Sequence, residues 1–281
     1  MPKQKKMWDN ILTVIMTLLS LLWIYPIVLI LLNSLKTEGS FTTSTVFRLP
    51  TAETFAGLRN YVYGVTKMDF LSSMGYSLLI TITSVVLILL CCSMTGWYLT
   101  RVNNKLSKFM NLLIVFSMVV PFQMVMFTLS KTADQLKLNT PWDICIIYLG
   151  FGAGLAVFMF TGFMKSVPME IEEAAMIDGC GPFRILTSII IPMCKPGIVT
   201  VCMISAMAAW NEYPVALVMV TDPTKATLPV GLANLYEIQR YATDWGALFA
   251  ALVLALIPTV ILFIVGQKQL VQGLSVGGVK G

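Results

Sequence analysis

The chain is 281 residues long; 57% of its residues are hydrophobic, only 12% are charged, and its formal net charge is +5. A soluble domain of this size carries about twice that charged fraction, so the composition argues against a water-soluble enzyme or binding domain. There is no histidine, and the six cysteines form no CxxC pair. This pattern argues against a zinc site or a cysteine–histidine pair, so we expect no catalytic residue, metal or cofactor on this chain.

Apolar residues fall in uninterrupted blocks long enough to cross a hydrocarbon core of roughly 30 Å as helices. The first block follows Lys3, Lys5 and Lys6, but it is too long for a signal-peptide core and no small-residue cleavage site follows it. We therefore expect a retained first span and an all-α membrane protein with six transmembrane helices. The predicted spans lie near 9–33, 76–99, 109–130, 143–164, 197–220 and 246–266.

Lysine and arginine outside these spans predict the orientation. With the N-terminus inside, eleven lie on the cytoplasmic side and eight on the other, and the short loop 100–108 is basic. Both termini are then cytoplasmic. The predicted organisation is an N-terminal tail and first helix (1–33), an external folded segment (34–75), a five-helix core (76–267) that includes a cytoplasmic loop (165–195), and a cytoplasmic C-terminal tail (268–281).

The fourth span contains Gly150, Gly152 and Gly154. Glycines spaced in this way allow two membrane helices to approach closely. We interpret all three as packing positions.

The loop 165–195 begins with signals for a helix. Ser166 and Pro168 are typical helix starters, and Gly179 predicts a left-handed stop. Acidic residues in the first turns favour the helix dipole, namely Glu170, Glu172 and Glu173.

A second short helix is predicted from Pro182 to about Ile190, ending before Pro192. Ala174 and Ala175 give the first helix a shallow face that could enter a groove on a partner. The alternative is a helical connector that lies on the membrane surface.

Span five contains Asn211 and Glu212, flanked by Trp210 and Tyr213. A carboxylate at membrane depth costs about 2.5–3.5 kcal/mol, so it normally faces a bundle interior or a wet cavity. One interpretation is that these four residues line a translocation path or gate, with aromatic rings suited to sugars. The other is a structural hydrogen bond between helices, or a position close to the outer membrane interface.

The loop also resembles a known family. Glu173-Ala174-Ala175, Asp178-Gly179, Pro192 and Pro196 follow the "EAA" pattern of permeases of ATP-binding-cassette (ABC) importers. Three further stretches resemble the carbohydrate-uptake branch, in particular the smaller permease subunit of maltose-type importers: Trp210-Asn211-Glu212, Thr227 to Leu232, and Gln272 to Gly281. Cys180 departs from the pattern, since the family usually has alanine there.

The resemblance implies a type I ABC importer permease fold and a coupling helix that docks on a cytoplasmic ATPase. The coupling residues would be Glu172, Glu173, Ala174, Ala175, Asp178 and Gly179. The implied partners are a second homologous permease, two ATPase subunits that bind ATP and magnesium, and an extracellular or periplasmic solute-binding protein. The chain itself has no GxxxxGK[ST] phosphate loop. The implied location is the bacterial cytoplasmic membrane.

Three alternatives remain open at this stage. The solute could be another one, such as glycerol phosphate, instead of a sugar. The chain could instead be a self-sufficient secondary transporter. Such transporters typically carry charged residues in several spans, and here Glu212 is the only charged residue that clearly lies within the membrane. A membrane enzyme is the third option, but the sequence has no cluster of catalytic type.

Overall fold

The structure is a computed structural model, and it describes residues 2–43, 45–67, 69–138, 140–220, 222–242 and 244–278. Every regular element in these ranges is a helix, as the sequence predicts. The chain divides into two compact units, one formed by Met1–Leu71 and Gly231–Ile257, the other by Ser72–Val230 and Pro258–Gly281.

The first unit contains a long apolar helix and several short ones. The elements are α1 (Pro2–Ser34), α2 (Gly39–Thr43), α3 (Arg59–Lys67), most of α13 (Leu228–Ala242) and the first part of α14 (Trp245–Gly278). No residue in the most apolar stretch of α1 is buried by the described chain. A helix that is apolar all round and uncovered is suited to a lipid or protein environment.

The segment after α1 is folded by buried hydrogen bonds. The Asn60 side-chain amide donates to the carbonyl oxygens of Ser34 at 2.8 Å and Lys36 at 2.7 Å. Lys36 also forms an isolated antiparallel bridge with Phe55. A Cβ on Gly246 would lie 2.5 Å from the Asn60 amide nitrogen, so only glycine fits beside this bond network.

The second unit contains nearly all of a long helix and a series of shorter ones. Its elements are α4 (Phe70–Arg101), α5 (Lys105–Ser117), α6 (Phe122–Gln135), α7 (Pro141–Met164), α8 (Met169–Ile177), α9 (Pro182–Ile185), a π-helical turn (Leu186–Ile190), α10 (Ile191–Met193), α11 (Lys195–Asn211), α12 (Pro214–Met219), a 3-10 turn (Pro223–Lys225) and the end of α14. A core of fully buried side chains joins α7, the π-helical turn and α11 through Val157, Phe160, Met164, Ile190 and Val201. This core lies next to α8 and holds it in place.

The six predicted spans correspond to four long apolar helices and two bent pairs. The four are Trp8–Ser34, Phe70–Arg101, Pro141–Met164 and Trp245–Lys268. The pairs are Lys105–Ser117 with Phe122–Gln135, bent by 101°, and Pro182–Met193 with Lys195–Asn211, bent by 84°. There are six spans if each pair counts as one, although Pro182–Met193 belongs to the loop 165–195 and only Lys195–Asn211 overlaps the predicted fifth span.

Two of the predicted spans are interrupted beside prolines. The third breaks before Pro121, which lacks the amide hydrogen that would continue the helix. The fifth ends at Asn211, and α12 begins anew at Pro214. The tail, in contrast, continues α14 to Gly278.

The second short helix of the loop is also longer than predicted. It passes through Pro192 and ends at Met193. A π-helical turn precedes the proline, and in it the Ile191 amide donates to the Leu186 carbonyl five residues back. This wider register accommodates the bond that Pro192 cannot donate.

The glycines of α7 differ in their surroundings. A Cβ on Gly152 would lie 2.8 Å from the Ile88 side chain, and one on Gly154 would lie 3.0 Å from the Ile114 carbonyl oxygen. Gly150 has nothing within 4 Å. The packing interpretation is confirmed for Gly152 and Gly154, whereas Gly150 is exposed and packs against nothing within the described chain.

Candidate functional site

The first helix of the predicted coupling loop forms close to its predicted ends. It begins after Pro168, whereas the Ser166 hydroxyl donates backwards to the Phe163 carbonyl at 2.6 Å, at the end of α7 and not at the start of α8. Gly179 has a φ of +82°, the left-handed conformation that ends helices. The Cys180 amide then donates to the Ala175 carbonyl at 2.9 Å and closes the last turn.

The six predicted coupling residues divide between two faces of α8. Exposed residues are Glu173, Ala174, Asp178 and Gly179. Glu172 and Ala175 are buried against the chain itself, with Glu172 only 1% exposed. The outward face is thus small and acidic.

Large apolar side chains adjoin this outward face. Ile177 is 87% exposed and Phe183, at the start of the next helix, is 70% exposed. Single exposed apolar residues are ordinary, but two of this size on either side of the glycine turn are surfaces that a partner could cover. We call Glu173, Ala174, Ile177, Gly179 and Phe183 the α8 face.

Glu172 is held by two side chains of α4. The Arg101 guanidinium approaches its Oε1 at 2.6 Å, through both Nε and Nη2. The Trp97 indole nitrogen donates to its Oε2 at 3.0 Å. Both carboxylate oxygens are therefore satisfied inside the chain.

Arg101 also reaches the end of α7 and the connection beyond it. Its Nη2 donates to the Val167 carbonyl at 2.9 Å and lies 3.4 Å from the Met164 carbonyl. A single guanidinium thus contacts the beginning of α8, the end of α7 and the segment between them. The fork of donors on arginine is suited to several acceptors at once.

The second predicted site, around Glu212, lies in the break between α11 and α12. The Tyr148 hydroxyl donates to Glu212 Oε2 at 2.7 Å. The amides of Val215 and Ala216 donate to the same carboxylate at 2.8 Å and 3.1 Å. The carboxylate therefore caps the N-terminus of α12, where exposed amides and the helix dipole favour negative charge.

A cavity of about 190 Å³ lies beside Glu212, between α7 and α11. Tyr148 and Glu212 supply polar groups to its wall, and Phe151, Met159 and Ile204 are among the apolar residues. None of the residues that line it carries a positive charge. Glu212 is the only charged residue in this wall, which apart from Glu212, Tyr148 and Ser205 is apolar.

The structure does not bring the four predicted path residues together. Trp210 is 7% exposed and lines a separate apolar cavity of about 380 Å³. The Asn211 side chain is exposed and bonds to the Met207 carbonyl at 2.8 Å. Tyr213 packs against Ala216 in another small cluster. Glu212 is the one member of the four that lines the smaller cavity.

Sequence reasoning did not single out Arg101 and Tyr148, the main partners of the two carboxylates. Arg101 was counted only as a basic residue that sets orientation. A basic residue directly at the end of an apolar span was a signal that could have suggested an ion pair. For Tyr148, one tyrosine within an apolar block, no such signal exists.

Comparison with known proteins identifies the family. A family model described as the inner membrane component of binding-protein-dependent transport systems matches residues 88–276. The match includes both sites described above. The chain belongs to this family, and it is a multi-pass membrane permease of the ABC importer type.

Several relatives match nearly the full length. The probable starch degradation products transport system permease AmyC of Thermoanaerobacterium thermosulfurigenes is 34% identical, with 96% of each chain covered. The arabinooligosaccharides transport system permease AraQ of Halalkalibacterium halodurans is 30% identical, again with 96% of each covered. The melibiose/raffinose/stachyose import permease MelC of Bacillus subtilis is 30% identical, with 97% of each covered.

Solved structures share the fold. A chain of a bacterial ABC transporter that imports the acidic polysaccharide alginate superposes with a TM-score of 0.79 at 22% identity, covering 94% of this chain and 97% of that one. A chain of the MetNI methionine ABC transporter superposes with a TM-score of 0.56 at 15% identity, covering 73% and 95%. These likenesses confirm the type I importer permease fold.

Proposed function

We propose that this permease carries a sugar or a short oligosaccharide. The observation that carries the proposal is near-complete alignment, at 30–34% identity, with permeases named for starch products, arabinooligosaccharides and melibiose. The cavity beside Glu212 supports it, because a carboxylate without a neighbouring cation disfavours an anion such as glycerol phosphate. A neutral sugar meets no such repulsion.

The energy for transport comes from a separate ATPase in this proposal. Two ATPase subunits bind ATP and magnesium, and a second homologous permease completes the pathway. A solute-binding protein delivers the sugar on the external side. Both termini and the loop 165–195 lie on the cytoplasmic side of a bacterial cytoplasmic membrane, so the α8 face is available to the ATPase.

The α8 face is the proposed docking surface. Ala174 and Gly179 are small and exposed, which lets the helix sit deep in a groove, and Ile177 supplies an apolar anchor. When ATP closes the ATPase dimer, its grooves carry the two coupling helices with them. This rigid-body motion opens the pathway to one side of the membrane and closes it to the other.

Two substitutions on the α8 face test the docking. Ala174→Glu introduces bulk and charge, and Gly179→Pro cannot adopt a φ of +82° because proline fixes φ near −65°. We expect both variants to reach the membrane but to lose the ATPase in pull-down and to lose uptake of a radiolabelled maltodextrin mixture. The matched control is Glu170→Gln, on the same helix but outside the α8 face. Normal ATPase retention in both variants would overturn the proposed docking.

A second experiment separates this function from a self-sufficient secondary transporter. The lone chain, reconstituted in vesicles, is expected to show no flux of maltodextrin under an ion gradient. Flux that appears without any ATPase subunit would favour the secondary transporter.

A further inference from the structure

The Arg101–Glu172 pair is a buried ion pair at the root of α8. The Arg101 side chain is 15% exposed and that of Glu172 is 1% exposed. The two residues are 71 positions apart in the chain. Their contact therefore joins two elements that no local sequence signal connects.

The hydrogen bonds around this pair join three parts of the second unit. Trp97 and Arg101 belong to the last turns of α4, and Glu172 belongs to the first turn of α8. The Met164 and Val167 carbonyls, also bonded by Arg101, belong to the end of α7 and the connection to α8. The carboxylate accepts from both α4 side chains, so α8 cannot pivot without breaking charged hydrogen bonds.

Breaking such contacts is expensive at this depth. Removing one member of such an ion pair leaves the remaining charge without its partner in a site that is largely closed to water. The exposed residues Glu173 and Ala174 adjoin Glu172 directly in the chain, so a load on the α8 face acts within one turn of the pair. The nine-residue helix α8 contributes only Ala175 to the buried core, so few other contacts resist a tilt under such a load.

We propose that Arg101 and Glu172 are positioning residues that make α8 move as one rigid body with the cytoplasmic ends of α4 and α7. The inference rests on the proposed docking of an ATPase on the α8 face. Glu172 then acts inward as the anchor, while Glu173 acts outward. The pair converts a displacement of the short helix into a displacement of two membrane-crossing helices.

The test measures a distance between α4 and α8 in the assembled complex. Spin labels are placed at Thr95, which is partly exposed, and at Met169, which is exposed, in a chain whose native cysteines are replaced by alanine. The complex is purified through a tag on this chain, with its ATPase, and measured by electron–electron double resonance without nucleotide and with ATP and vanadate. With Glu172 and Arg101 intact, we expect one narrow distance that is the same in both states.

Two variants weaken the attachment of Glu172 to α4 to different degrees. Glu172→Gln removes the charge at nearly constant size, and Trp97→Phe removes only the indole donor, so a folded variant is available even if the first is unstable. We expect both to broaden the distance distribution and to make it differ between the two nucleotide states, Glu172→Gln more strongly. Glu170→Gln, exposed on the same helix, is the matched control and should retain the narrow distance.

The outcomes distinguish a failure of the positioning proposal from a failure of the proposed ATPase docking. An intact chain that fails to retain any ATPase would contradict the proposed docking, but it would not contradict the positioning role of Arg101 and Glu172. With the ATPase retained, a distribution in Glu172→Gln and Trp97→Phe as narrow as in Glu170→Gln would overturn the proposal. A distance that changes between nucleotide states in the intact chain would overturn it as well.

Discussion

The Tyr148 hydroxyl lies 2.7 Å from the Glu212 carboxylate and donates a hydrogen bond to it, across 64 positions of the chain. The same carboxylate accepts from two backbone amides at the start of α12. Tyr148 is therefore the link between α7 and the break after α11. The geometry makes Glu212 a helix cap as well as part of the cavity wall.

This arrangement predicts unequal effects of two substitutions. Tyr148→Phe removes one hydrogen bond to a charged group, which contributes about 1.5–3 kcal/mol to the free energy of unfolding. Glu212→Ala removes all three bonds and leaves the amides of α12 uncapped, so it should destabilise more. Thermal unfolding of the purified permease in detergent measures both. The control is Asn211→Ala, whose exposed amide bonds only to the Met207 carbonyl; equal loss in Asn211→Ala and Glu212→Ala would contradict the capping role.

Close helix packing predicts opposite outcomes at two glycines. A Cβ on Gly197 would overlap the Phe163 ring, whereas Gly150 has nothing within 4 Å. Gly197→Ala should destabilise by about 1–3 kcal/mol through overpacking. Gly150→Ala should be neutral or stabilise by up to about 1 kcal/mol, since alanine favours helix more than glycine does. The melting temperatures of the two variants test this; the same shift in both would contradict the packing.

The turn after α8 predicts a specific need for glycine. Gly179→Ala places a side chain at a φ of +82°, which costs about 1 kcal/mol, although no atom lies within 4 Å of the new Cβ. The end of α8 should therefore fray, and the amides of residues 178–180 should exchange hydrogen faster. Gly181→Ala is the matched control, because Gly181 has a φ of −72° and is equally unobstructed. Faster exchange in both variants, or in neither, would argue against the turn as the cause.

The proposed orientation predicts from which side of the membrane a labelling reagent can reach each exposed position. Leu58 is 72% exposed in the segment after α1, and Phe183 is 70% exposed in the predicted cytoplasmic loop. The native cysteines are replaced first. Leu58→Cys should then react with a membrane-impermeant maleimide in whole cells, provided that the reagent can reach the outer face of the cytoplasmic membrane. Phe183→Cys should react only after the membrane is permeabilised. The reverse pattern would show that the orientation is inverted.

Much of the site could be predicted from sequence because its signals are local. The ends of α8 follow from residues that influence only the backbone within one or two helical turns. These residues are Pro168, the early glutamates and Gly179. The break at Pro121 was less predictable, since proline is tolerated inside membrane helices when neighbours satisfy the backbone. Pro258 shows the tolerated case, inside the continuous helix α14.

The apolar blocks in the sequence determined that this is a helical membrane protein. Each block is long and apolar enough to favour lipid over water as a helix, whatever its neighbours are. The identity of the coupling pattern was likewise readable within some twenty-five residues. Only the tertiary structure decided that Glu172 faces inward to Arg101 while Glu173 faces outward, and that Glu212 caps α12 beneath Tyr148. Two adjacent glutamates are alike in a linear sequence; the packing of distant helices around one of them gives each its separate role.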